Sequence, residues 1–272
     1  METSSHRFHY YHADASALGG FIHRPLKKVI PSQASVSLPA AGGFSSARSG
    51  AFHFENIVSC RESFCRVGGS VDEKGDTTTL VTAVLDGLNL LDIVSAERVV
   101  SQISTERSPD GHIARVTYVG SQFFGLRIAG FPVEPIINLK VLVPSYDGPK
   151  RPWLKNENLL NTARDQHDLR TSGEHATPDW LSARLGWIKS DDRIAEHGHV
   201  CASLVDGFKG TIPGKSWGHI VGIAGVGRFS FGEVSMYDHM YRLTMIRAEI
   251  GSPTGGDLSG GSGGSNGGST GG

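Results

Sequence analysis

The chain has 272 residues, 19% of them charged, and a formal net charge of −1 at pH 7. This length allows one large β domain or two smaller ones, either with an ample hydrophobic core. The near-neutral charge excludes the long-range attraction that nucleic acid or an anionic membrane exerts on a strongly basic protein.

The N-terminal stretch is rich in histidine and aromatic residues, and residues 8–12 alternate in the manner of an edge strand or a docked arm. No apolar run there has the length of a secretory signal core. No run anywhere in the chain approaches the roughly 20 apolar residues of a membrane-spanning helix. We therefore expect, by default, a cytoplasmic protein without a transmembrane segment.

Residues 77–128 hold the densest run of β-branched and aliphatic residues in the chain. Asp-Gly supplies the two positive-φ positions of a type I′ turn, so Asp86-Gly87 predicts a hairpin in which Leu85 pairs with Leu88. Both faces of its strands are largely apolar, as is typical of strands inside a sandwich or barrel.

Two more hairpins follow in chain order. Residues 96–105 fit strand and helix spacing equally over so short a length. Strand is favoured, because Asp110-Gly111 indicates a turn before the return strand 113–119. Residues 126–133 predict a tight hairpin that turns at Ala129-Gly130.

Residues 150–195 change character, because they are more polar and hold three of the four tryptophans. Apolar spacing predicts a helix within 156–169, and a second helix is expected to start with Thr177 as N-cap and Pro178 as its first residue. Long excursions of this kind are often functional, so we expect a site here.

The β pattern returns at His199, and residues 228–236 and 241–250 predict a further hairpin. Residues 251–272 are roughly half glycine with almost no apolar side chain, which predicts a flexible tail. The alternative is that glycine-rich segments pack against each other in an assembly.

The predicted fold is all-β and mainly antiparallel, with sandwich or barrel-like sheets built from hairpins and a mixed insert of loop and short helices. We expect an N-terminal β region at 1–150 and a polar insert at 151–198. A C-terminal β region at 199–250 packs with the first, and a disordered Gly/Ser tail occupies 251–272.

The segment 197–201 has the strongest pattern for chemistry. On a strand, His197, His199 and Cys201 share one face, about 7 Å from one to the next. Imidazole nitrogens and a thiolate suit zinc, so these residues predict a metal site. The candidates for further ligands are His175, His219, His239 and Asp206. The alternative is a buried small Cys201 beside two histidines on a sheet edge, with no cofactor.

Other patterns admit a structural interpretation. Cys60 and Cys65 are best explained as free buried thiols, with a small-loop disulfide or a loose metal pair as alternatives. Residues 210–216 resemble a phosphate loop, but only three residues separate the glycines and one is Pro213, so that motif is rejected. Sugar rings or a partner surface could stack on the tryptophans, although core packing competes. The tryptophans are Trp153, Trp180, Trp187 and Trp217.

Two stretches carry a resemblance to a known group. Residues 79–104, TLVTAVLDGLNLLDIVSAERVVSQIS, followed by GSQFFGLRIAGFPVE at 120–134, resemble the strand pattern of bacterial "choice-of-anchor" surface proteins. Residues 229–253 look like the close of related uncharacterised bacterial proteins. The resemblance implies a β-rich, non-catalytic module at the cell surface or outside the cell, and it implies no functional residue.

These patterns favour a non-enzymatic structural or binding module that self-assembles through β edges, so the expected partner is a second copy of the chain. One alternative is a metal-binding protein or metal-dependent enzyme that holds zinc with His197, His199 and Cys201. The other is a glycan-binding module that uses the tryptophans of the insert.

Overall fold

The computed structural model describes residues 9–22, 27–109, 114–139, 157–173, 175–190, 200–237, 240–250 and 256–269, the last of these by backbone alone. Most of these residues lie in antiparallel strands, with a small helical insert, so the predicted fold class is confirmed.

Strands dominate both halves of the chain. The strands before the insert are β1 His9–Ile22, β2 Lys28–Gln33, β3 Val36–Ser37, β4 Gly43–Ser49, β5 Phe52–Phe54, β6 Val58–Cys60, β7 Glu62–Val71, β8 Thr77–Leu90, β9 Val94–Arg107, β10 Arg115–Thr117, β11 Gln122–Phe124, β12 Arg127–Ile128, β13 Phe131–Pro132 and β14 Glu134–Ile137. The helices of the insert are α1 Glu157–Thr171 and α2 Asp179–Leu185, followed by a 3₁₀ turn at Gly186–Lys189. The later strands are β15 Val200–Ser203, β16 Val205–Lys209, β17 Lys215–Trp217, β18 Ile220–Ile223, β19 Gly227–Met236, β20 Met240–Ile250 and β21 Gly256–Ser269.

The described strands form two large sheets and one small ribbon. The nine-stranded sheet has the order β17-β18-β19-β20-β21-β1-β2, with β15 beside β19 and β3 beside β1. The ten-stranded sheet is built around the long β7-β8-β9 meander, and β14 pairs with β16 in the ribbon. The two large sheets pack face to face, so one hydrophobic core runs from Tyr11 to Ala248. The N-terminal and C-terminal β regions therefore share a core.

Asp86-Gly87 lies inside a long strand, so the predicted hairpin turn at this position was wrong. β8 continues to Leu90, and the turn into β9 contains Leu91 and Asp92, with φ of 54° and 56°. Asn89 supports that turn, because its amide nitrogen donates to Asp92 Oδ1 at 2.6 Å and its Oδ1 accepts the Asp92 backbone N–H at 2.9 Å.

Gly87 instead reverses the alternation of β8. Buried residues occupy odd positions from Val81 to Leu85 and then the even positions Leu88 and Leu90. The positive φ of Gly87, 62°, makes this reversal with little steric cost. The strand thus keeps its apolar residues toward the core over 14 residues. The same backbone conformation that favours a hairpin turn here produces a kink.

Replacing Gly87 with Ala will lower the free energy of unfolding by about 1–2 kcal/mol, since a residue with a Cβ is strained at this φ. The added Cβ would also lie 2.3 Å from Nε of Arg61. Urea denaturation followed by circular dichroism measures the loss. Gly50→Ala is the control, because nothing lies within 4 Å of a Cβ at that position. Equal stability of the two variants would contradict this account of the kink.

Three of the other predicted hairpins agree with the structure. β10 pairs antiparallel with β9, and Arg127 pairs with Pro132 across a turn at Ala129 and Gly130, both of positive φ. β19 pairs with β20 from Gly227 to Met236. Asp110 and Gly111 themselves lie outside the described residues.

The predicted disordered tail differs from the structure over Gly256–Ser269. This segment forms β21, which pairs with β20 on one side and β1 on the other. Two neighbouring strands offer unpaired backbone N–H and C=O groups to it, so backbone hydrogen bonds order a segment that has little apolar surface. Residues 251–255 and 270–272 lie outside the described part of the chain.

Candidate functional site: the arginine pocket

The helices of the insert cover the end of the nine-stranded sheet at β15, β19 and β20. The face of α1 that carries Leu160, Ala163, Gln166, His167 and Arg170 is buried, at the i, i+3, i+4 spacing of one helix face. The predicted helix is therefore confirmed, but its buried face continues into polar residues. α2 begins at Asp179 after Pro178, so Pro178 is the N-cap where Thr177 was predicted.

Gln166 connects α1 to the sheet through side-chain hydrogen bonds. Its Nε2 donates to the carbonyl of Ser203 at 2.7 Å, and its Oε1 accepts the backbone N–H of Ser203 at 2.9 Å. The same Nε2 lies 2.7 Å from Oδ1 of Asp206, whose two oxygens also accept from Asn138 at 3.1 and 3.0 Å. This network fixes the last turn of α1 against β15.

A pocket of about 380 Å³ lies between these helices and the sheet. We call it the arginine pocket, because guanidinium groups reach it from three different elements: Arg170 from α1, Arg184 from α2 and Arg247 from β20. Glu233 of β19 and His219 of the β17–β18 turn complete its charged wall. The rest of the lining is Ala183, Leu185, Cys201, Ala202, Ser235 and Tyr237.

Glu233 is the carboxylate at the centre of the wall. Nη2 of Arg184 donates to its Oε1 at 2.7 Å, and Nε of Arg247 lies 3.3 Å from its Oε2. Nε2 of His219 is 3.7 Å from Oε1. Burial by itself would raise the pKa of Glu233, but His219, Arg184 and Arg247 outweigh it and hold the pKa at about 2. Glu233 is therefore ionised at neutral pH.

His219 is 3% exposed, and its pKa is lowered to about 4 by burial and then by the charge of Arg170, against the opposite influence of Glu233. The imidazole is consequently neutral at pH 7. His219 follows Gly218, whose φ is 60° and where a Cβ would lie 3.1 Å from Cγ of Arg170. A glycine here lets the turn approach the Arg170 side chain.

Arg170 is the least compensated charge of the pocket. It is 3% exposed, and its Nε has no hydrogen-bond partner. Within the described part of the chain, no carboxylate lies close enough to form an ion pair with it; Glu233 and Asp206 act on it from a greater distance. Burial lowers the pKa of Arg170 to about 10, so it remains charged at pH 7.

A second layer of charges backs the pocket. Glu249 accepts from Arg184 at 3.4 Å and also pairs with Arg228. The Arg228 guanidinium lies 4.1 Å from the ring centre of Trp180, a cation–π contact. Glu249 Oε1 also lies 3.9 Å from Nη1 of Arg247. Among the described residues, the pocket and this second layer therefore hold four guanidinium groups against the two carboxylates Glu233 and Glu249, an excess of two positive charges.

The predicted metal residues are only partly described. His197, His199 and His239 lie outside the described residues. Cys201 lines the arginine pocket, where its Sγ is 3.6 Å from Oγ of Ser235 and burial raises its pKa. No group of three or more His, Cys, Asp or Glu side chains suited to a metal ion occurs in the part of the chain that is described. The zinc site at His197, His199 and Cys201 stays a prediction.

The described tryptophans serve packing. Trp217 is 7% exposed and belongs to a small apolar cluster with Leu181, Leu185 and Ile220. The ring of Trp180 meets it edge-on at 5.6 Å. Trp153 and the side chain of Trp187 are outside the described residues. Cys60, Cys65 and Cys201 are free thiols, the first two buried, as predicted for Cys60 and Cys65.

Sequence reasoning located the insert but missed the arginines. No sequence motif includes Arg170, yet the structure buries it. The available signal was its position four residues after Gln166 and seven after Ala163, one residue beyond the predicted helix and in line with its apolar face. Glu233 and Arg247 gave no comparable signal, because they lie on strands that contain other charged residues.

A family model described as a domain of unknown function, DUF8256, matches residues 9–237. The chain belongs to the DUF8256 family. The DUF8256 match includes α1, α2 and β19, and with them Arg170, Arg184, His219 and Glu233, whereas Arg247 lies beyond it. No curated protein and no solved structure matches the chain. None of the described helices has the length and apolar character needed to cross a membrane.

Proposed function

We propose that the chain is a non-enzymatic binding module that holds a small anionic ligand in the arginine pocket. One observation carries the proposal: Arg170 is buried and charged without a hydrogen-bond partner for its Nε or an ion-pair partner among the described residues. A buried charge is costly unless it is paired. An anion in the pocket would supply the missing partner.

The ligand's orientation would come from groups that are already fixed. Glu233 holds Arg184 and Arg247 in place, and Gln166 holds the helix that carries Arg170. Such prior positioning reduces the entropy lost on binding. Pockets with a partly apolar lining and a few convergent polar groups are the usual form of small-molecule sites.

Arg170→Met tests the proposal, because it keeps an unbranched apolar stem and removes the charge. Phosphate and sulfate stabilise any folded protein to some degree, because they are excluded from its surface. We therefore expect wild-type protein to gain more thermal stability in these anions, relative to chloride at equal ionic strength, than the variant gains. Without anion, the variant should be as stable as wild type or more stable by about 1–2 kcal/mol, because an unpaired buried charge is gone.

Arg242→Met is the matched control, since Arg242 is an exposed arginine on β20. It should keep the full anion response. A wild-type protein without an anion response would refute the proposal, and so would a response of equal size in Arg170→Met.

Self-assembly through sheet edges is a second candidate function. Phe131, Ile136, Ile137 and Leu139 are 38–47% exposed along the short strands β13 and β14. Apolar side chains on a sheet edge favour pairing with another chain. Light scattering of wild type and Ile136→Lys tests this candidate: a large species that is lost in the variant supports it, and a monomer in both refutes it.

A further inference from the structure

We infer that the ligand of the arginine pocket is a phosphomonoester, a phosphate group carried on a small organic body. This inference rests on the proposed function and narrows it from any anion to one chemical class. Three features of the pocket lead to it: the charge of its wall, the directions from which its guanidinium groups come, and its size.

Among the described residues, the pocket and its second layer hold four arginines, Arg170, Arg184, Arg228 and Arg247, against Glu233 and Glu249, an excess of two positive charges. Asp206 does not line the pocket and already accepts hydrogen bonds from Asn138 and Gln166. A phosphomonoester carries close to two negative charges at pH 7. A carboxylate or a sulfonate carries one and would leave the wall positive.

Arginines from three elements, α1, α2 and β20, line this one pocket. A planar carboxylate has two oxygens in one plane, and one guanidinium satisfies both in a bidentate pair. A phosphate group presents three terminal oxygens in a tetrahedral arrangement and therefore accepts donors from several directions. The arrangement of arginines in the pocket suits a tetrahedral phosphate group better than a planar carboxylate.

The pocket volume of about 380 Å³ exceeds what a bare phosphate ion fills. Ala183, Leu185 and Ala202 line it beside the charged wall, so apolar surface is available next to the anion position. A small organic body attached to the phosphate would cover that surface and gain from its burial.

Isothermal titration calorimetry tests the inference with three probes of similar size, phenyl phosphate, benzenesulfonate and benzoate, and with the smaller inorganic phosphate. At pH 7.5 we expect phenyl phosphate to bind with a Kd about tenfold or more below each of the other three. Arg170→Met should abolish the difference, and Arg170→Lys, which keeps the charge, should retain part of it. Arg242→Met should bind like wild type.

The pH dependence provides an internal control. The second pKa of a phosphomonoester is about 6, so at pH 5 phenyl phosphate loses one charge and its advantage over benzenesulfonate should fall. Benzenesulfonate keeps its single charge at both pH values and reports any titration of the wall. The titratable groups that face the pocket are Arg170 of α1, Arg184 of α2, Cys201 of β15, His219, Glu233, Tyr237 and Arg247 of β20.

The possible failures are distinguishable. If benzoate or benzenesulfonate binds as tightly as phenyl phosphate through Arg170, the phosphate assignment is overturned while anion binding stands. If inorganic phosphate binds as tightly as phenyl phosphate, the inference that the ligand carries an organic group beside its phosphate is overturned. If no probe binds in an Arg170-dependent manner, this inference and the proposed function fail together.

Discussion

Glu233→Gln will lower the free energy of unfolding by about 3–5 kcal/mol, because it removes a largely buried carboxylate that contacts two arginines and leaves Glu249 as the remaining carboxylate of this cluster among the described residues. Arg184 and Arg247 both contact Glu233, whose side chain is only 14% exposed, and Arg170 lines the same pocket. Glutamine keeps the size of the side chain and the acceptor oxygen, so the loss reports the charge. Urea denaturation at pH 7 measures it.

Glu134→Gln is the control for this experiment. Glu134 also pairs with a cation, Lys209 at 3.4 Å, but its side chain is 72% exposed. Exposed pairs contribute at most about 1 kcal/mol, so this variant should match wild type closely. Phosphate should restore more stability to Glu233→Gln than to wild type, since it adds the missing negative charge. A loss for Glu233→Gln no larger than that of the control would show that the buried cluster is already neutralised.

Stability will fall as the pH drops from about 6.5 to 4, with a contribution of about 3 kcal/mol from His219 alone. Burial, and then the charge of Arg170, lower its pKa from 6.5 to about 4 in the folded protein. Between these two values the unfolded chain binds a proton that the folded chain rejects. The stabilisation is therefore complete above pH 6.5 and is lost as acid is added.

Glu233 extends the same trend to lower pH. Although burial opposes its ionisation, its neighbours hold its pKa at about 2, below the ordinary 4.5. Its contribution is present above pH 4.5 and is lost toward pH 2, so both groups make acid destabilising. Denaturation midpoints at pH 7, 5.5 and 4.5 measure the slope. His219→Gln should flatten it between pH 6.5 and 4, whereas His53→Gln, at an exposed position, should leave it unchanged.

Turn-forming dipeptides predicted a hairpin correctly where the residues of the turn and its flanking strands decide the structure. Ala129-Gly130 forms a tight turn because its flanking strands are two residues long and end there. Asp86-Gly87 has a similar signal, but β8 pairs with β9 before and after this point. On its other side β8 pairs with β7 as far as Asp86 and with β6 from Asn89. Hydrogen bonding of β8 to strands on both sides outweighed the turn preference of Asp-Gly. A prediction from the residues around Asp86 does not include those neighbouring strands.

The arginine pocket depends even more on contacts between segments that are distant in sequence. Polar composition and helical spacing identified the insert, but they did not single out Arg170, which the structure places on the inner face of α1. The other charged residues of the pocket include Glu233 and Arg247, which lie on the paired strands β19 and β20, far along the chain. A strand alternates side chains between two faces, so either residue could be solvated. Only the packing of α1 and α2 over this sheet decides that Glu233 is largely buried and Arg247 is half-buried.

The position of β21 has a consequence for synthesis of the protein. On the ribosome β1 emerges first among the described strands, yet its long partner β21 emerges last of them. Until then β1 can pair only with the shorter β2 and β3 among the described strands, and one edge of β20 is also unpaired. Pairings of such high sequence separation form slowly and leave strand edges open to other chains. Efficient production of this fold therefore depends on protection of β1 while the intervening chain is made.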